Sequence, residues 1–202
     1  MTVPTMLQRL AYAIFFCTLA GGVTTLVREI EARFKLPSNF FYPALGVVQE
    51  PLALFDGHRI KKAYIDVIRH TGAQSTLDLA AFVLTEPSIT QELIAAHKRG
   101  VPVKVLVDKN YAFGEYSQVQ KLINMGVQVY TSLSAKMHNK YLVCKHQDGS
   151  GFVITGSYNP TTSASTCNDE NVVVHKNAGP LIAAYQEQFH ALLKNACLAG
   201  QV

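Results

Sequence analysis

The sequence predicts an α/β domain in which a mixed β-sheet is sandwiched between helices. Short apolar runs rich in β-branched residues alternate with amphipathic helical segments along the chain. Apolar residues make up 49% of the sequence and charged residues 16%, a balance that excludes a disordered chain. The 202 residues are enough for one domain with a sizeable core and a short additional segment.

The additional segment is apolar and lies at the N-terminus. Residues 10–27 carry no charge, and their length is at the lower limit for a membrane-spanning helix. The basic residues within 28–35 favour a membrane anchor with the domain on the cytoplasmic side. The alternatives are a buried helix or a cleaved signal peptide, with small residues at 18–20, which would give a secreted or periplasmic protein. Residues 1–36 are predicted to be the anchor or signal segment, and residues 37–202 the folded domain.

The first half of the domain is predicted as helix, strand, helix and strand. Apolar residues recur at helical spacing over 58–70, and the run STLDLAAFVL at 75–84 is typical of a strand. Ser88 and Gln91 have the spacing of a capping box, which predicts that a helix begins there. The run VPVKVLVD at 101–108 predicts a buried strand.

The second half is predicted as a helix that ends at Gly126, four strands and a last helix. Asp148-Gly149 lies in a polar stretch between two β-branched and aromatic runs, which is a hairpin signal. Pro180 suits the first turn of the final helix, which reaches Lys194. The predicted strands of this half are 127–131, 141–144, 152–155 and 171–175.

The predicted hairpin brings four polar residues towards one end of the sheet. His138 and Lys140 precede its first strand and, being two positions apart, share a face. The hairpin then carries Ser157 and Asn159 back to the same end. An imidazole, an ammonium, a hydroxyl and an amide group are therefore expected to converge there.

The positive charge of the chain is concentrated in the same region. Between Lys98 and Lys145, eight Lys or Arg residues stand against Asp108 and Glu115, a local charge of +6, whereas ten basic and twelve acidic residues elsewhere give −2. A basic segment around His138 suits an anionic substrate such as a phosphodiester. A solvated basic face is the alternative explanation of the same composition.

Three features occur together in this chain: His138-x-Lys140, the loop Gly156-Ser157-x-Asn159, and Glu170 shortly after that loop. The combination resembles the signature of the phospholipase D superfamily. The stretch AAFVLTEPSITQELIAAHKRGVPVKVLVD resembles the strand–helix–strand unit that precedes the motif in this family, and the resemblance covers about residues 55–195. The chain looks most similar to single-motif members, which are small bacterial endonucleases and mitochondrial cardiolipin hydrolases. A phospholipase D-like fold and phosphodiesterase activity are what the resemblance implies.

The chemistry expected of these residues needs no metal and no cofactor, because the nucleophile is a side chain. His138 would attack phosphorus as a neutral imidazole and form a phospho-histidine. Lys140 would neutralise the anionic oxygens, while Ser157 and Asn159 would donate hydrogen bonds to them. Glu170 is predicted to orient His138 through the second ring nitrogen, although it could also be a surface carboxylate.

The reaction also needs an acid that protonates the departing alkoxide. The family resemblance implies that a second copy of the same histidine supplies this proton. Of the seven histidines, only His138 stands in His-x-Lys spacing. The chain is therefore expected to act as a homodimer, with a shared site on the two-fold axis.

One position departs from the family pattern. The signature has an Asp five residues after the motif lysine, and this chain has Lys145 there. Asp148 is either a displaced substitute or a turn residue, and its place in the hairpin favours the turn.

The substrate class is left open between two polyanions. The loop KNYAFGEYSQ at 109–118 follows a predicted strand and is expected to overhang the site. Its Tyr111, Phe113 and Tyr116 could stack on bases of a single strand, enter a lipid interface, or pack over the core. The leading hypothesis is a nuclease, the alternative is a hydrolase of anionic phospholipid, and a third is a non-catalytic membrane scaffold.

Overall fold

The computed structural model describes residues 50–200, which form an eight-stranded β-sheet flanked by five helices. The strands are β1 Leu52–Leu54, β2 Ser75–Ala81, β3 Val103–Asp108, β4 Gln128–Ser132, β5 Lys140–His146, β6 Gly151–Gly156, β7 Val172–Lys176 and β8 Ala196–Leu198. The helices are α1 Gly57–Arg69, α2 Pro87–Lys98, α3 Val119–Asn124, α4 Thr162–Thr166 and α5 Gly179–Leu193.

The sheet is mixed, as predicted. Its strand order is β1-β7-β6-β5-β2-β3-β4-β8, in which β2, β3 and β4 are parallel and the other neighbours pair antiparallel. The carboxyl ends of the three parallel strands therefore lie at the same edge as the start of β5, the end of β6 and the start of β7. We call this edge the site edge.

Helices cover both faces of the sheet, which confirms the predicted sandwich. Leu142 and Cys144 of β5 belong to the core under α1 and α2, whereas Tyr141 and Val143 belong to the core under α5. All four side chains are buried, and burying an aliphatic side chain such as that of Leu142 or Val143 contributes about 1.5–3 kcal/mol. The two cores together fix which face each β5 residue occupies.

The start of α2 differs from the predicted capping box. Glu86, not Ser88, is the N-cap, and its carboxylate accepts hydrogen bonds from the backbone N–H and the hydroxyl of Ser88. Pro87 occupies the first turn, where its fixed φ and missing N–H are tolerated, so the helix begins earlier than the Ser88–Gln91 spacing indicates.

The predicted localisation at a membrane requires a correction. No helix within residues 50–200 is long and apolar enough to cross a membrane. The longest, α5, has 15 residues and therefore spans about 22 Å, less than the roughly 30 Å hydrocarbon core. The predicted membrane localisation is therefore corrected for residues 50–200, none of whose helices can serve as the anchor. Residues 10–27 and the predicted boundary after residue 36 lie outside the described residues.

Candidate active site

The site edge brings the five predicted catalytic side chains to one region of the sheet. His138 precedes β5, and Lys140 is its first residue, opposite Ala81 at the end of β2. The loop that follows β6 carries the hydroxyl and the amide, and the predicted carboxylate lies just before β7. The five residues are His138, Lys140, Ser157, Asn159 and Glu170.

A close approach of β6 and β7 places Ser157 beside Glu170. Gly156 ends β6 opposite Val172, and a Cβ at this position would overlap the carbonyl oxygen of Asn171. The N–H of Ser157 donates to that same carbonyl at 2.9 Å. Glycine is therefore required for the two strands to meet at this point.

Glu170 is buried, with 8% of its surface exposed, and both of its oxygens are engaged. The Ser157 hydroxyl donates to one oxygen, and the Asn168 side-chain amide donates to the other at 3.2 Å. Burial lowers the pKa of Lys140, and the negative charge of Glu170 opposes that shift. Glu170 thus lies near enough to the lysine to offset part of the effect of burial, although the two side chains form no salt bridge among the described residues.

This arrangement differs from two predicted roles. Among the contacts of the described residues, Glu170 binds Ser157 and Asn168 and makes no hydrogen bond to His138. Ser157 uses its single hydroxyl hydrogen on Glu170 and accepts the Asn171 N–H at 3.0 Å. In this structure the hydroxyl orients the carboxylate instead of offering a free donor to an anion.

The imidazole of His138 is exposed at the surface and packs against Phe82. The two ring centroids are 4.6 Å apart with an interplanar angle of 68°. Desolvation first, then the charges of Lys140 and Lys136, lower the pKa of His138, while Asp108 opposes them. A lowered pKa increases the neutral, nucleophilic fraction of the imidazole near neutral pH.

Phe82 contacts several residues of the site. The sequence did not indicate this role, because Phe82 lies within the run predicted as a strand at 75–84. Its ring also meets Tyr111 edge-on, with centroids 4.6 Å apart. The ammonium nitrogens of Lys140 and Lys136 lie 5.2 Å and 5.3 Å from its centroid. The Phe82 cluster is the name we give to the five residues Phe82, Tyr111, Lys136, His138 and Lys140. Its geometry combines aromatic edge contacts with cation–π attraction.

A second missed residue, Asp108, fastens the histidine segment to β3. It is fully buried, and its two oxygens accept backbone N–H groups from Met137 at 2.8 Å and Asn110 at 2.9 Å. Met137 directly precedes His138, and Asn110 is the second residue of the loop at 109–118, which we call the aromatic loop. One carboxylate therefore fixes both segments relative to the sheet.

The loop that carries Asn159 is anchored on either side of that residue. Tyr158 is fully buried, its hydroxyl pairs with Ser165 at 2.7 Å, and its ring packs on Tyr64 with centroids 5.4 Å apart. The carbonyl of Pro160 accepts N–H groups from residues 85 and 86, each at 2.9 Å. Within residues 50–200, the buried side-chain oxygen of Asn159 has no hydrogen-bond partner. This oxygen can only accept a hydrogen bond, so an anionic ligand would have to be bound by the NH2 group of the same amide.

The acidic groups of the site are occupied by hydrogen bonds and do not surround a common point. Asp108 binds two backbone N–H groups, and Glu170 binds two side chains. Within the described range, no group of three or more His, Cys, Asp or Glu residues is arranged to hold a metal ion. The groups best placed to bind an anion are the ammonium groups of Lys136 and Lys140 and the NH2 group of Asn159.

The aromatic loop flanks the site through one of its three predicted contact residues. Tyr111 packs on Phe82 and is 46% exposed. Phe113 and Tyr116 are 59% and 72% exposed and belong to the same loop. These aromatic faces are available to a ligand that extends beyond the histidine.

The departure at Lys145 lies away from the site. Lys145 pairs with Thr76 and Gly151, five residues along β5 from Lys140, which corresponds to about 17 Å. Asp148 accepts the N–H of Ser150 at 2.9 Å as well as its hydroxyl, and these bonds lower the pKa of the Asp148 carboxyl. Asp148 is therefore a turn residue, which is the role that the sequence favoured.

A mixed sheet with an exposed histidine, two lysines and two buried carboxylates at one edge offers what cleavage of a phosphodiester needs, a nucleophile and positive charges for the phosphate. Residues 64–193 match the family model described as cardiolipin synthase, PLD-like domain. The chain belongs to the phospholipase D superfamily and is a phosphodiester hydrolase.

Relatives of this chain include two amphibian proteins named mitochondrial cardiolipin hydrolase. The Xenopus tropicalis protein is 36% identical over 185 residues, which cover 86% of this chain and 84% of that protein. The Xenopus laevis protein is 35% identical over 127 residues, which cover 62% of this chain but only 58% of the relative. These matches show the family over most of the chain. The substrate in their names is that of the relatives.

Solved structures show the same fold. Nuc from Salmonella typhimurium, a phospholipase D family member, is 26% identical with a TM-score of 0.65, and the match covers 74% of this chain and 98% of Nuc. NucT from Helicobacter pylori has the same TM-score and coverage at 16% identity, a likeness of fold alone.

We expect Asp108→Asn to impair catalysis, because the amide presents only one acceptor to two N–H donors. The segment holding His138 would then shift, and kcat/KM for bis(4-nitrophenyl) phosphate should fall about ten- to a hundredfold. The free energy of unfolding should fall by about 1–3 kcal/mol. Asp148→Asn is the matched control, since it also removes a carboxylate that accepts a backbone N–H, but in the distant turn. Equal activity of the two variants, assayed well below both melting temperatures, would contradict the positioning role of Asp108.

Proposed function

We propose that this chain is a metal-independent nuclease that cleaves phosphodiester bonds through a phospho-histidine at His138. The observation that carries the proposal is the exposed His138 imidazole, whose pKa is lowered by desolvation and by neighbouring lysines. An exposed neutral imidazole beside an ammonium group provides a nucleophile and a counter-charge for a phosphate at one point.

In the first step, a ring nitrogen of His138 attacks phosphorus and a P–N bond forms. The P–O bond to the leaving group breaks, and the departing oxygen takes a proton from a general acid. Lys140 and the Asn159 amide stabilise the charge on the non-bridging oxygens. In the second step, the group that acted as acid takes a proton from water, the water oxygen attacks phosphorus, and the P–N bond breaks to regenerate His138. Glu170 contributes a negative charge that opposes the lowering of the Lys140 pKa by burial.

Nucleic acid is the preferred substrate class because of the surface beside the histidine. Tyr111 lies on Phe82, and Phe113 and Tyr116 are largely exposed on the same loop. Exposed aromatic rings near Lys136 and Lys140 suit a single-stranded nucleic acid, because its bases can stack on the rings while its phosphates contact the cations.

Hydrolysis of a phospholipid such as cardiolipin is the second candidate. It is favoured by the name of the relatives, mitochondrial cardiolipin hydrolase, at up to 36% identity. The same histidine and lysine would serve either phosphodiester. The third hypothesis, a non-catalytic scaffold, loses its motivation because Lys145 lies at the far end of β5 from Lys140.

We also propose that the active unit is a homodimer. His138 is exposed at the site edge, and the described residues offer no second imidazole in the Phe82 cluster to act as the acid. A two-fold axis through this edge would bring His138 of both chains to one phosphate, one as nucleophile and one as acid.

The histidine variant gives the central test. His138→Asn should lower kcat by roughly a thousandfold or more on any phosphodiester, because it removes the covalent nucleophile. His146→Asn, the same change at the opposite end of β5, should leave kcat near that of the wild type. Activity of the wild type in excess EDTA should be complete. A His138→Asn variant with a tenth of the wild-type rate, or loss of activity in EDTA, would exclude this mechanism.

The substrate class can be tested by binding in the inactive His138→Asn background. Phe113→Ala should weaken binding of single-stranded oligonucleotides by about 1–3 kcal/mol, because one base loses its stacking partner. Phe113→Tyr keeps an aromatic face and should bind like its parent. If oligonucleotide binding is unchanged, while Phe113→Ala in the active enzyme slows hydrolysis of cardiolipin vesicles, the phospholipid alternative replaces the nuclease.

Mixed dimers test the shared site. A heterodimer of wild-type and His138→Asn chains keeps one nucleophile but lacks the acid. It should have far less than half of the wild-type activity on an oligonucleotide, whose leaving alkoxide needs a proton. On bis(4-nitrophenyl) phosphate the loss in the first step should be much smaller, because nitrophenolate leaves unprotonated. Half activity on both substrates, or full activity of a monomer at nanomolar concentration, would be incompatible with the dimer.

A further inference from the structure

We propose that Lys136 forms a binding site for a second phosphodiester group of the same substrate molecule, next to the one that His138 attacks. This inference rests on the proposed phosphodiesterase mechanism and adds a determinant of substrate choice to it. Lys136 lies outside the His-x-Lys motif, and its role follows from its position in the Phe82 cluster.

Lys136 and Lys140 share one aromatic ring. Their ammonium nitrogens lie 5.3 Å and 5.2 Å from the Phe82 centroid, so they can be no further apart than these two distances together. The same ring contacts the His138 imidazole. The exposed Lys136 side chain is therefore held close to the reacting group and remains open to solvent.

The two lysines differ in how their charges are compensated. Lys140 faces the buried Glu170, whose charge raises the lysine pKa against the effect of burial. Lys136 lowers the pKa of both His138 and Lys140, so it lies near enough to repel them. The salt bridges within residues 50–200 are Lys62–Asp66 and Arg69–Glu92, and neither involves Lys136. An anionic ligand would relieve a repulsion that these residues leave uncompensated.

The two lysines belong to different segments of the site edge. Lys140 begins β5, next to the loop that follows β6, whereas Lys136 lies in the connection that leaves β4. In the same connection, the Leu133 carbonyl accepts a hydrogen bond from Lys109 at 3.4 Å. The three lysines thus lead from the histidine towards the aromatic loop. A substrate with one phosphate needs only Lys140, and a neighbouring phosphate would meet Lys136.

The chemistry recognised is a second phosphodiester anion close to the first. Consecutive phosphates of a single-stranded nucleic acid provide it, and so do the two phosphodiesters of a cardiolipin molecule. A dinucleoside monophosphate and phosphatidylglycerol each carry only one. The number of phosphodiesters in the substrate can therefore be varied within each class.

The test compares Lys136→Gln with Lys145→Gln, which removes the same charge at the far end of β5. The nucleotide pair is thymidylyl-thymidine and its trinucleotide, and the lipid pair is phosphatidylglycerol and cardiolipin in mixed micelles. With Lys136→Gln, kcat/KM should fall about tenfold on the two-phosphate substrate of the active pair and less than about twofold on its one-phosphate partner. Lys145→Gln should match the wild type, and Lys136→Arg should keep the preference. The pair that responds identifies the source of the second phosphate.

Two further readouts separate binding from effects on the histidine. Removing the Lys136 charge should raise the pKa of His138, so the acid limb of the pH–rate profile moves to higher pH for every substrate. Rates are therefore compared on the plateau above that limb. In the His138→Asn background, adding Lys136→Gln should reduce the steepness of log K against log salt for oligothymidylate by about 0.7, the value for one phosphate contact to a single strand.

An equal fall in kcat/KM on one-phosphate and two-phosphate substrates, with an unchanged salt slope, would overturn the second site and leave the phosphodiesterase standing. A wild-type enzyme that cleaves none of the four substrates would instead refute the proposed function, and the second site with it. Thermal unfolding of each variant verifies that lost activity is not lost folding.

Discussion

The register of β5 is the constraint on which the site depends. Seven consecutive residues of β5 pair with β2, from Ser75 opposite His146 to Ala81 opposite Lys140. Because alternate residues face opposite sides, a slip by one position would exchange the two cores and turn His138 and Lys140 to the wrong face. The buried side chains of Leu142 and Val143, one in each core, oppose such a slip. Packing in the two cores therefore sets the direction of the catalytic groups.

Two buried carboxylates then adjust the edge that this register creates. Asp108 holds the main chain before the histidine, and Glu170 faces the lysine and holds the serine hydroxyl. Burying an ionised carboxylate is costly unless hydrogen bonds or opposite charges compensate it, and both residues have such partners. The hydrogen bonds that compensate for burial also hold each carboxylate and its partners in a fixed position. An enzyme that acts by positioning and charge requires such fixed groups.

Sequence patterns predicted the alternating elements, the hairpin and the convergence of four polar residues, because these follow from periodicity and turn chemistry, whereas Glu170 was indicated by the family resemblance. They missed β1 and β8, since three residues at each edge carry too little pattern. They also missed Phe82 and Asp108, which continue apolar strand runs and resemble core or strand-end residues. Which partner a buried carboxylate has is a tertiary property, so the contacts of Glu170 with Ser157 and Asn168 could not be inferred from spacing.

The turn between β5 and β6 is a place where the chain can accept additional residues. Its hydrogen bonds are local, within residues 146–150, and Gln147 and Asp148 are exposed. Loop tips of this kind tolerate added residues well. The length of β5 separates the turn from His138 and Lys140. A longer turn would therefore leave the catalytic edge unchanged. The tip is thus a natural attachment point for a fused module or a reporter label.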